Sequence, residues 1–401
     1  MSAPIPFTID IPEAALQDLR ERLLKSRLPE PLEDVGWSYG TEYEYLKELA
    51  HYWATSFDWR KQEAYLNSFP QFKLLVNGID LHFVHLRSAE PNAIPLILSH
   101  GWPGTFFEFH KMFEALAAPK PTVDGSKPQA FHVVAPSLPG YGFSSAPRRP
   151  GFGVGKIAET FDALMSALGY QTYVAQGGDW GSAITSTLAR KYPERCRAIH
   201  INLVFAGPCW SNPLHLLQMA NMLPGLRRFP VFLSRDEMKA VDDGAHFQEH
   251  ETGYSKIQGT KPQTLGYALN DSPAGLLAWI VEKFHTWADT RGEGVESAFV
   301  RDEVLTNVAI YWLTGSITSS TRLYHEAMHS GEVRRISASY CKVPTGVAVF
   351  PKEIFRAPRS WASAVYNIQQ WSVFPRGGHF AALEAPAELT ADVRKFFAAH
   401  H

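Results

Sequence analysis

The strand-turn-helix pattern around residues 176–182 constrains the fold more than any other part of the chain. Its centre, residues 177–181, reads GGDWG and has the Gly-x-nucleophile-x-Gly spacing of a nucleophile elbow, a sharp turn that exposes its middle side chain. That residue is Asp179, whose carboxylate is nucleophilic at neutral pH and can form an ester with an electrophilic carbon. The alternative is a glycine-rich turn in which Asp179 only caps the following helix.

The sequence on both sides of this turn alternates between strand and helix patterns. Strands are predicted at 95–99, 132–135, 173–175, 198–203, 345–350 and 368–373, and helices at 106–116, 157–168, 183–192 and 387–400. Near-continuous apolar strands separated by helices are typical of a parallel sheet that is covered on both faces. The predicted fold class is therefore α/β, with a mostly parallel sheet flanked by helices.

Two segments lie outside this alternation. The N-terminal part begins with an amphipathic helix at 11–28 and ends in a hairpin at 72–87, whose turn is Asn77-Gly78. From 209 to 329 the pattern is helical, which predicts a lid over the carboxyl edge of the sheet. The predicted segments are an N-terminal extension with the start of the sheet (1–92), the first part of the core (93–208), a helical lid (209–329) and the second part of the core (330–401).

The composition limits the possible partners. The chain of 401 residues is 45% hydrophobic and 19% charged, which is ordinary for a globular protein. A formal net charge of -2 builds no single-sign field, so no nucleic acid partner is expected and a small, weakly charged substrate fits better. The three cysteines, Cys196, Cys209 and Cys341, form no CxxC pair and suggest neither a disulfide framework nor a zinc site.

The sequence also bears on location. The N-terminus lacks the charged and apolar regions of a signal peptide, and no run of eighteen or more apolar residues occurs. With the few cysteines, this predicts a reducing, cytoplasmic location and no membrane anchor.

A histidine and an acid late in the chain could complete a catalytic triad with the nucleophile. His379 follows the last predicted strand in the segment GGHF, and Glu353 follows the strand before it in the segment FPKE. The histidine would activate a water molecule and the acid would orient the histidine. Asp302, Glu303 and Glu384 are weaker candidates for the acid, because none lies directly after a predicted strand.

Two tryptophans are candidates for the oxyanion hole. The segment SHGWPG at 99–104 follows an apolar strand, and in the α/β-hydrolase fold the loop at this place supplies one backbone N–H to an oxyanion. The second N–H comes from the residue after the nucleophile. These donors would be Trp102 and Trp180.

Two other motifs are set aside. The segment HFQEH at 246–250 has the spelling of a zinc motif, but a chain with sixteen histidines produces such pairs by chance, and no third ligand is evident. The segment GFGVGK at 151–156 has the glycine spacing of neither a dinucleotide loop nor a P-loop. We therefore expect neither a metal nor a cofactor.

Taken together, these motifs resemble the epoxide hydrolases of the microsomal and fungal type, within the α/β-hydrolase superfamily. The resemblance extends over nearly the whole chain, including the N-terminal extension. It implies that the lid carries two tyrosines that bind and protonate the epoxide oxygen. The family segments match GYSKIQGTKP at 253–262 and RLYHE at 322–326, which gives Tyr254 and Tyr324. Composition alone could not have chosen these two from fifteen tyrosines.

The resemblance implies a cofactor-free enzyme that converts an epoxide and water to a vicinal diol through an ester at Asp179. Its partners would be the small epoxide and water, with a possible homodimer, and its role would lie in detoxification or aromatic hydrocarbon catabolism. Two alternatives stay open at this stage: a haloalkane dehalogenase with the same nucleophile, and a non-catalytic protein that binds a ligand under the lid. The preferred epoxide and its attacked carbon are not determined by the sequence.

Overall fold

A single nine-stranded sheet organises the described part of the chain. The computed structural model describes residues 3–121, 125–209, 211–223, 225–226 and 231–401. The strands are β1 (Ile5–Phe7), β2 (Gln71–Val76), β3 (Ile79–Leu86), β4 (Ile94–Ser99), β5 (Phe131–Pro136), β6 (Tyr173–Gly177), β7 (Cys196–Ile201), β8 (Cys341–Val349) and β9 (Tyr366–Val373).

The sheet has an antiparallel edge and a parallel centre. Its strand order is β1-β2-β3-β5-β4-β6-β7-β8-β9. Strands β1 to β3 pair antiparallel with one another and β3 with β5, whereas all pairs from β5 to β9 are parallel. The predicted hairpin is confirmed: Val76 pairs with Ile79, and Asn77 and Gly78 both have positive φ, as a tight two-residue turn requires.

Helices cover both faces of the sheet. They are α1 (Glu13–Leu24), α2 (Tyr43–Thr55), α3 (Trp59–Leu66), α4 (Phe113–Ala117), α5 (Val154–Ala167), α6 (Asp179–Lys191), α7 (Pro213–Asn221), α8 (Arg235–His250), α9 (Gly253–Thr260), α10 (Pro262–Leu269), α11 (Pro273–Trp287), α12 (Arg301–Thr314), α13 (Ile317–Ser330), α14 (Glu332–Ala338), α15 (Arg359–Ser363), α16 (Ala381–Glu384) and α17 (Pro386–Ala399). Helices α5 and α6 pack together over the central strands, while α4 and α17 form a second packed pair against the sheet. None of these helices is long and apolar enough to cross a membrane.

The helix predicted at 106–116 is wrong as a continuous element. The structure has a 3-10 helix at Phe106–Phe109 and then the short α4. Phe106, Phe107 and Phe109 are all buried, and the 3-10 turn places these neighbouring rings in the core together. The hydroxyl of Thr105 caps this turn by accepting the N–H of Phe107.

Between β7 and β8 the described residues form only helices, α7 to α14. This agrees with a helical lid, although α14 lies wholly after residue 329, where the predicted lid ends. The N-terminal extension packs on the lid helix α11: Thr41 donates to the Ala278 carbonyl at 2.7 Å, and Trp37 stacks on His285 at 3.8 Å between ring centroids. The division of the chain into four segments stays a prediction.

Candidate active site

The elbow forms where β6 meets α6. Asp179 has a φ of +47°, in the left-handed region that residues other than glycine rarely adopt. Gly181 lets this turn approach β4 closely, since a Cβ there would lie 1.8 Å from the carbonyl oxygen of Ser99. The N-cap of α6 is Gly178 and no side chain caps the helix, so the interpretation of Asp179 as a mere helix cap is wrong.

The structure brings Asp179, Glu353 and His379 together. His379 Nδ1 lies 2.6 Å from Glu353 Oε1, and His379 Nε2 lies 3.5 Å from Asp179 Oδ2. The histidine and Glu353 side chains are 3% and 1% exposed, so bulk water does not screen their interaction. A parallel β-bridge between the backbones of Lys352 and Gly378 connects the loop that carries Glu353 to the loop that carries His379.

The charges around His379 set its protonation. Burial in itself would lower the pKa of His379, but the charge of Glu353 and the contact with Asp179 outweigh burial and hold that pKa well above the ordinary value. At neutral pH the imidazole is therefore protonated. Loss of the negative charge on Asp179 would lower the pKa of His379 again.

The three weaker acid candidates have other partners. Asp302 accepts a hydrogen bond from the Tyr52 hydroxyl at 2.9 Å, and Glu303 pairs with Lys111 at 2.7 Å. Glu384 accepts two backbone N–H groups. Among the described residues none of the three hydrogen bonds to His379, whereas Glu353 does.

One of the two predicted oxyanion donors contacts the nucleophile directly. The backbone N–H of Trp102 donates to Asp179 Oδ1 at 2.8 Å, and this oxygen would carry the charge of an oxyanion. Gly101 makes room for the carboxylate, because a Cβ there would lie 2.2 Å from Oδ1. In the described structure the N–H of Trp180 makes no hydrogen bond to the Asp179 side chain, so its role as second donor stays a prediction.

The two predicted tyrosines lie side by side next to these groups. Tyr254, on α9, stacks on Trp102 at 5.3 Å between ring centroids, and Tyr324, on α13, packs edge-on against Trp180 at 4.9 Å. The two tyrosine rings are 5.8 Å apart. The hydroxyl of Tyr324 is buried and has no hydrogen-bond partner among the described residues. Burial and the charge of Asp179 raise the pKa of Tyr254, so its phenol stays a proton donor at neutral pH.

Comparisons with known proteins agree with this geometry. Residues 4–109 match the family model of the epoxide hydrolase N terminus, and residues 94–268 match that of the alpha/beta hydrolase fold. Epoxide hydrolase 1 of Sus scrofa is 40% identical over 98% of this chain and 88% of its own length. The chain belongs to the epoxide hydrolase family.

Solved structures of the family share its fold over their whole length. The juvenile hormone epoxide hydrolase from the silkworm Bombyx mori superposes with a TM-score of 0.90 at 33% identity, covering 100% of this chain and 95% of that one. The Aspergillus niger epoxide hydrolase gives a TM-score of 0.85 at 33% identity, covering 99% and 97%. The α/β-hydrolase fold and the family resemblance are thereby confirmed.

A cavity of about 560 Å³ opens beside the nucleophile of this epoxide hydrolase. Asp179, Trp180, Tyr254 and Tyr324 are among the residues that line it. The remaining wall is largely apolar and includes Leu203, Phe205, Phe247, Met328, Ile354 and Phe355. An apolar group attached to the epoxide would therefore be removed from water when the substrate binds.

No sequence pattern indicated the role of one tryptophan that joins the parts of the site. Trp287, at the end of α11, accepts the backbone N–H of His379 through its carbonyl at 3.0 Å. Its ring packs against His379 at 4.9 Å and against Tyr254 at 5.1 Å between centroids. The residue thus contacts both His379 and Tyr254, an arrangement that only the folded position of α11 reveals.

A further carboxyl near the site was also missed. Burial raises the pKa of Glu108 to about 8, and the charge of Asp179 adds to this effect while that of His379 opposes it. Its carboxyl lies against Gly104, where a Cβ would come within 2.4 Å of Oε2. No local sequence pattern indicates this contact, because Gly104 lies outside the 3-10 helix that carries Glu108.

We expect Glu108→Gln to stabilise the protein at high pH and not at low pH. Because the folded-state pKa of Glu108 is raised from 4.5 to about 8, its stabilising contribution is full below pH 4.5 and is lost as the pH rises to 8. The loss is ~1.4 kcal/mol for each pH unit in that window. Thermal unfolding of both proteins at pH 5 and pH 9 measures the effect. If the difference in Tm between Glu108→Gln and the unchanged protein were the same at pH 5 and pH 9, Glu108 would not titrate in this window.

Proposed function

We propose that this family member converts apolar epoxides to vicinal diols in two steps, through an ester between the substrate and Asp179. One observation carries the proposal. The Asp179 carboxylate accepts the Trp102 N–H at 2.8 Å and lies 3.5 Å from the His379 imidazole, and it lines the same cavity as Tyr254 and Tyr324. Each group needed for ester formation and ester hydrolysis is therefore next to the nucleophile.

In the first step, Asp179 attacks a ring carbon of the epoxide. The Trp102 N–H binds Oδ1, and Oδ2, which lies 3.5 Å from His379 Nε2, is the oxygen that attacks. Tyr254 and Tyr324 donate hydrogen bonds to the epoxide oxygen on the opposite side, where negative charge develops as the C–O bond breaks. The product is a hydroxyalkyl ester of Asp179.

In the second step, His379 removes a proton from water, and the hydroxide attacks the ester carbonyl. The charge that forms on Oδ1 is stabilised by the Trp102 N–H, which already binds this oxygen, and we assign Trp180 as the second donor. Glu353 fixes the tautomer of His379 and stabilises the imidazolium. Collapse of the intermediate releases the diol and restores the Asp179 carboxylate.

The proton balance of the two steps follows from the charge on His379. The resting site holds an ionised Asp179 and a protonated His379, because two carboxylates raise the histidine pKa. Ester formation removes the Asp179 charge, so His379 loses its proton, and the new alkoxide gains one through the tyrosines. The neutral imidazole is then the base that the second step needs. During hydrolysis His379 takes a proton from water, so the protonated histidine and the Asp179 carboxylate of the resting site are restored.

We expect Tyr254→Phe and Tyr324→Phe each to slow ester formation by about 10²-fold, because each removes one donor to the developing alkoxide. The double variant should show no measurable ester formation. Hydrolysis of the ester, which needs neither hydroxyl, should change little. Single-turnover kinetics with rapid quenching separate the two rates. Tyr311→Phe is a control, since this buried hydroxyl donates to the Gly104 carbonyl instead. A slower hydrolysis step with unchanged ester formation would contradict the assigned role of the tyrosines.

The cavity wall supports an apolar or aryl substituent on the substrate. Incubation with a styrene-type epoxide, followed by chiral chromatography, should therefore yield the diol. Halide release from a chloroalkane with no diol from any epoxide would favour a haloalkane dehalogenase instead. The cytoplasmic location, the homodimer and the role in detoxification or aromatic hydrocarbon catabolism stay predictions.

A further inference from the structure

Lys283 places a positive charge against the ring of Tyr254. It lies on α11, and the residue is 5% exposed. Its Nζ is 4.6 Å from the ring centroid of Tyr254, 5.6 Å from that of Trp287 and 5.8 Å from that of Trp279. We call these three rings the aromatic cage. The ammonium also pairs with the carboxylate of the neighbouring Glu282.

Contacts between α9 and α11 hold the aromatic cage in place. The indole N–H of Trp279, on α11, donates to Gln258 on α9 at 3.0 Å, and α9 is the helix that carries Tyr254. Trp287 packs against Tyr254 on one side and His379 on the other. Burying an ammonium costs free energy, which the single carboxylate and the three ring faces offset. The ammonium of Lys283 therefore lies beside the phenol of Tyr254, while the carboxylate of Glu282 acts in the opposite direction by raising the pKa of that phenol.

We propose that Lys283 is a positioning residue for the first step, whose ammonium favours proton donation from Tyr254 to the epoxide oxygen. This inference rests on the role of Tyr254 in the proposed function. A cation over a ring face is attracted by the ring quadrupole, and the attraction grows when the ring gains negative charge. As the phenol gives up its proton to the alkoxide, the ring becomes more negative, so Lys283 stabilises the transition state more than the ground state.

Lys73 and Phe7 make a similar contact between an ammonium and a ring face, at a place where no proton is transferred. Lys73 Nζ lies 4.7 Å from the ring centroid of Phe7 and 3.2 Å from Asp80. Like Lys283 it has one ring contact within 5 Å and one carboxylate partner, but its ring has no hydroxyl and lies at the antiparallel edge of the sheet. Lys73→Met is therefore a matched control for the loss of a cation from a ring face.

The test compares Lys283→Met and Lys283→Gln, which remove the charge, with Lys283→Arg, which keeps it. Single-turnover reactions with a styrene-type epoxide are quenched at successive times, and the protein is analysed by mass spectrometry. The appearance and loss of the ester-bound protein give separate rates of ester formation and hydrolysis. We expect both neutral variants to form the ester about 10-fold more slowly, with hydrolysis changed less than about twofold. The arginine variant should recover most of the rate. Lys73→Met should leave both rates unchanged.

A double-mutant cycle with Tyr254→Phe separates this role from a structural one. In the Tyr254→Phe background, Lys283→Met should slow ester formation no further, because the proton that the cation assists is gone. An equal slowing in both backgrounds, or an equal loss in both steps together with a lower Tm, would overturn the inference. If Tyr254→Phe slows ester formation and the neutral Lys283 variants do not, only this inference fails. If Tyr254→Phe itself has no effect, the tyrosine role in the proposed function fails.

Discussion

We expect Asp179→Ala to abolish diol formation, with kcat lower by about 10⁴-fold or more. The variant lacks the atom that bonds to the substrate, so neither the ester nor its hydrolysis product can form. Tm should change little, because the carboxylate makes one backbone hydrogen bond and Ala tolerates the same turn at a cost of about 1 kcal/mol. Diol measured by chromatography, with Tm measured in parallel, checks both statements.

A buried aspartate outside the site provides the control for this variant. Asp392 accepts from Ser372 at 2.6 Å and pairs with His200 at 2.9 Å, so it is also an aspartate that contacts a histidine. Asp392→Ala should lower Tm and leave kcat within a few-fold of the original. Substantial diol formation by Asp179→Ala would show that another group, or water itself, opens the epoxide.

His379→Gln is expected to stop turnover in a different way. Ester formation needs the Asp179 carboxylate and the tyrosine hydroxyls, and water can replace His379 as the source of the proton that the alkoxide takes up, so it should continue. Ester hydrolysis loses its base and should slow by about 10²- to 10⁴-fold. In a single-turnover experiment the epoxide should therefore disappear in an amount equal to the enzyme, without an equal amount of diol. The matched control is His200→Gln, which removes a buried histidine that also pairs with a carboxylate.

The comparison of the two variants separates the steps of the reaction. Asp179→Ala should consume no epoxide, whereas His379→Gln should consume one equivalent. If His379→Gln consumed none, the histidine would be required for the attack on the epoxide as well. If it turned over many equivalents, another group would be the base.

The sequence predicted the nucleophile, the acid and the histidine because each follows a parallel strand. Parallel strands place their carboxyl ends at one edge of the sheet, so Asp179, Glu353 and His379 meet there whatever their separation along the chain. The hairpin was predictable for a similar reason, since the turn Asn77-Gly78 has a local sequence signal.

The lid side of the site was not predictable from local pattern. Helix periodicity predicts α11 but not α9, and it does not tell which side chains of these helices face the sheet edge. Tyr254 was identified only through the family resemblance, while Trp287 and Lys283 were not identified at all. Their contacts join helices that are distant in sequence, and such packing has no local signature. The broken helix after Thr105 has the same origin, because three neighbouring rings are buried together there.

The most direct test of the account is the mass of His379→Gln after incubation with a styrene-type epoxide. We predict that the intact protein gains the mass of one epoxide molecule, and that digestion places this mass on the peptide that contains Asp179. The combined variant Asp179→Ala and His379→Gln should gain no mass. An unmodified His379→Gln protein, or an adduct on any other residue, would contradict the ester at Asp179 and with it the two-step reaction.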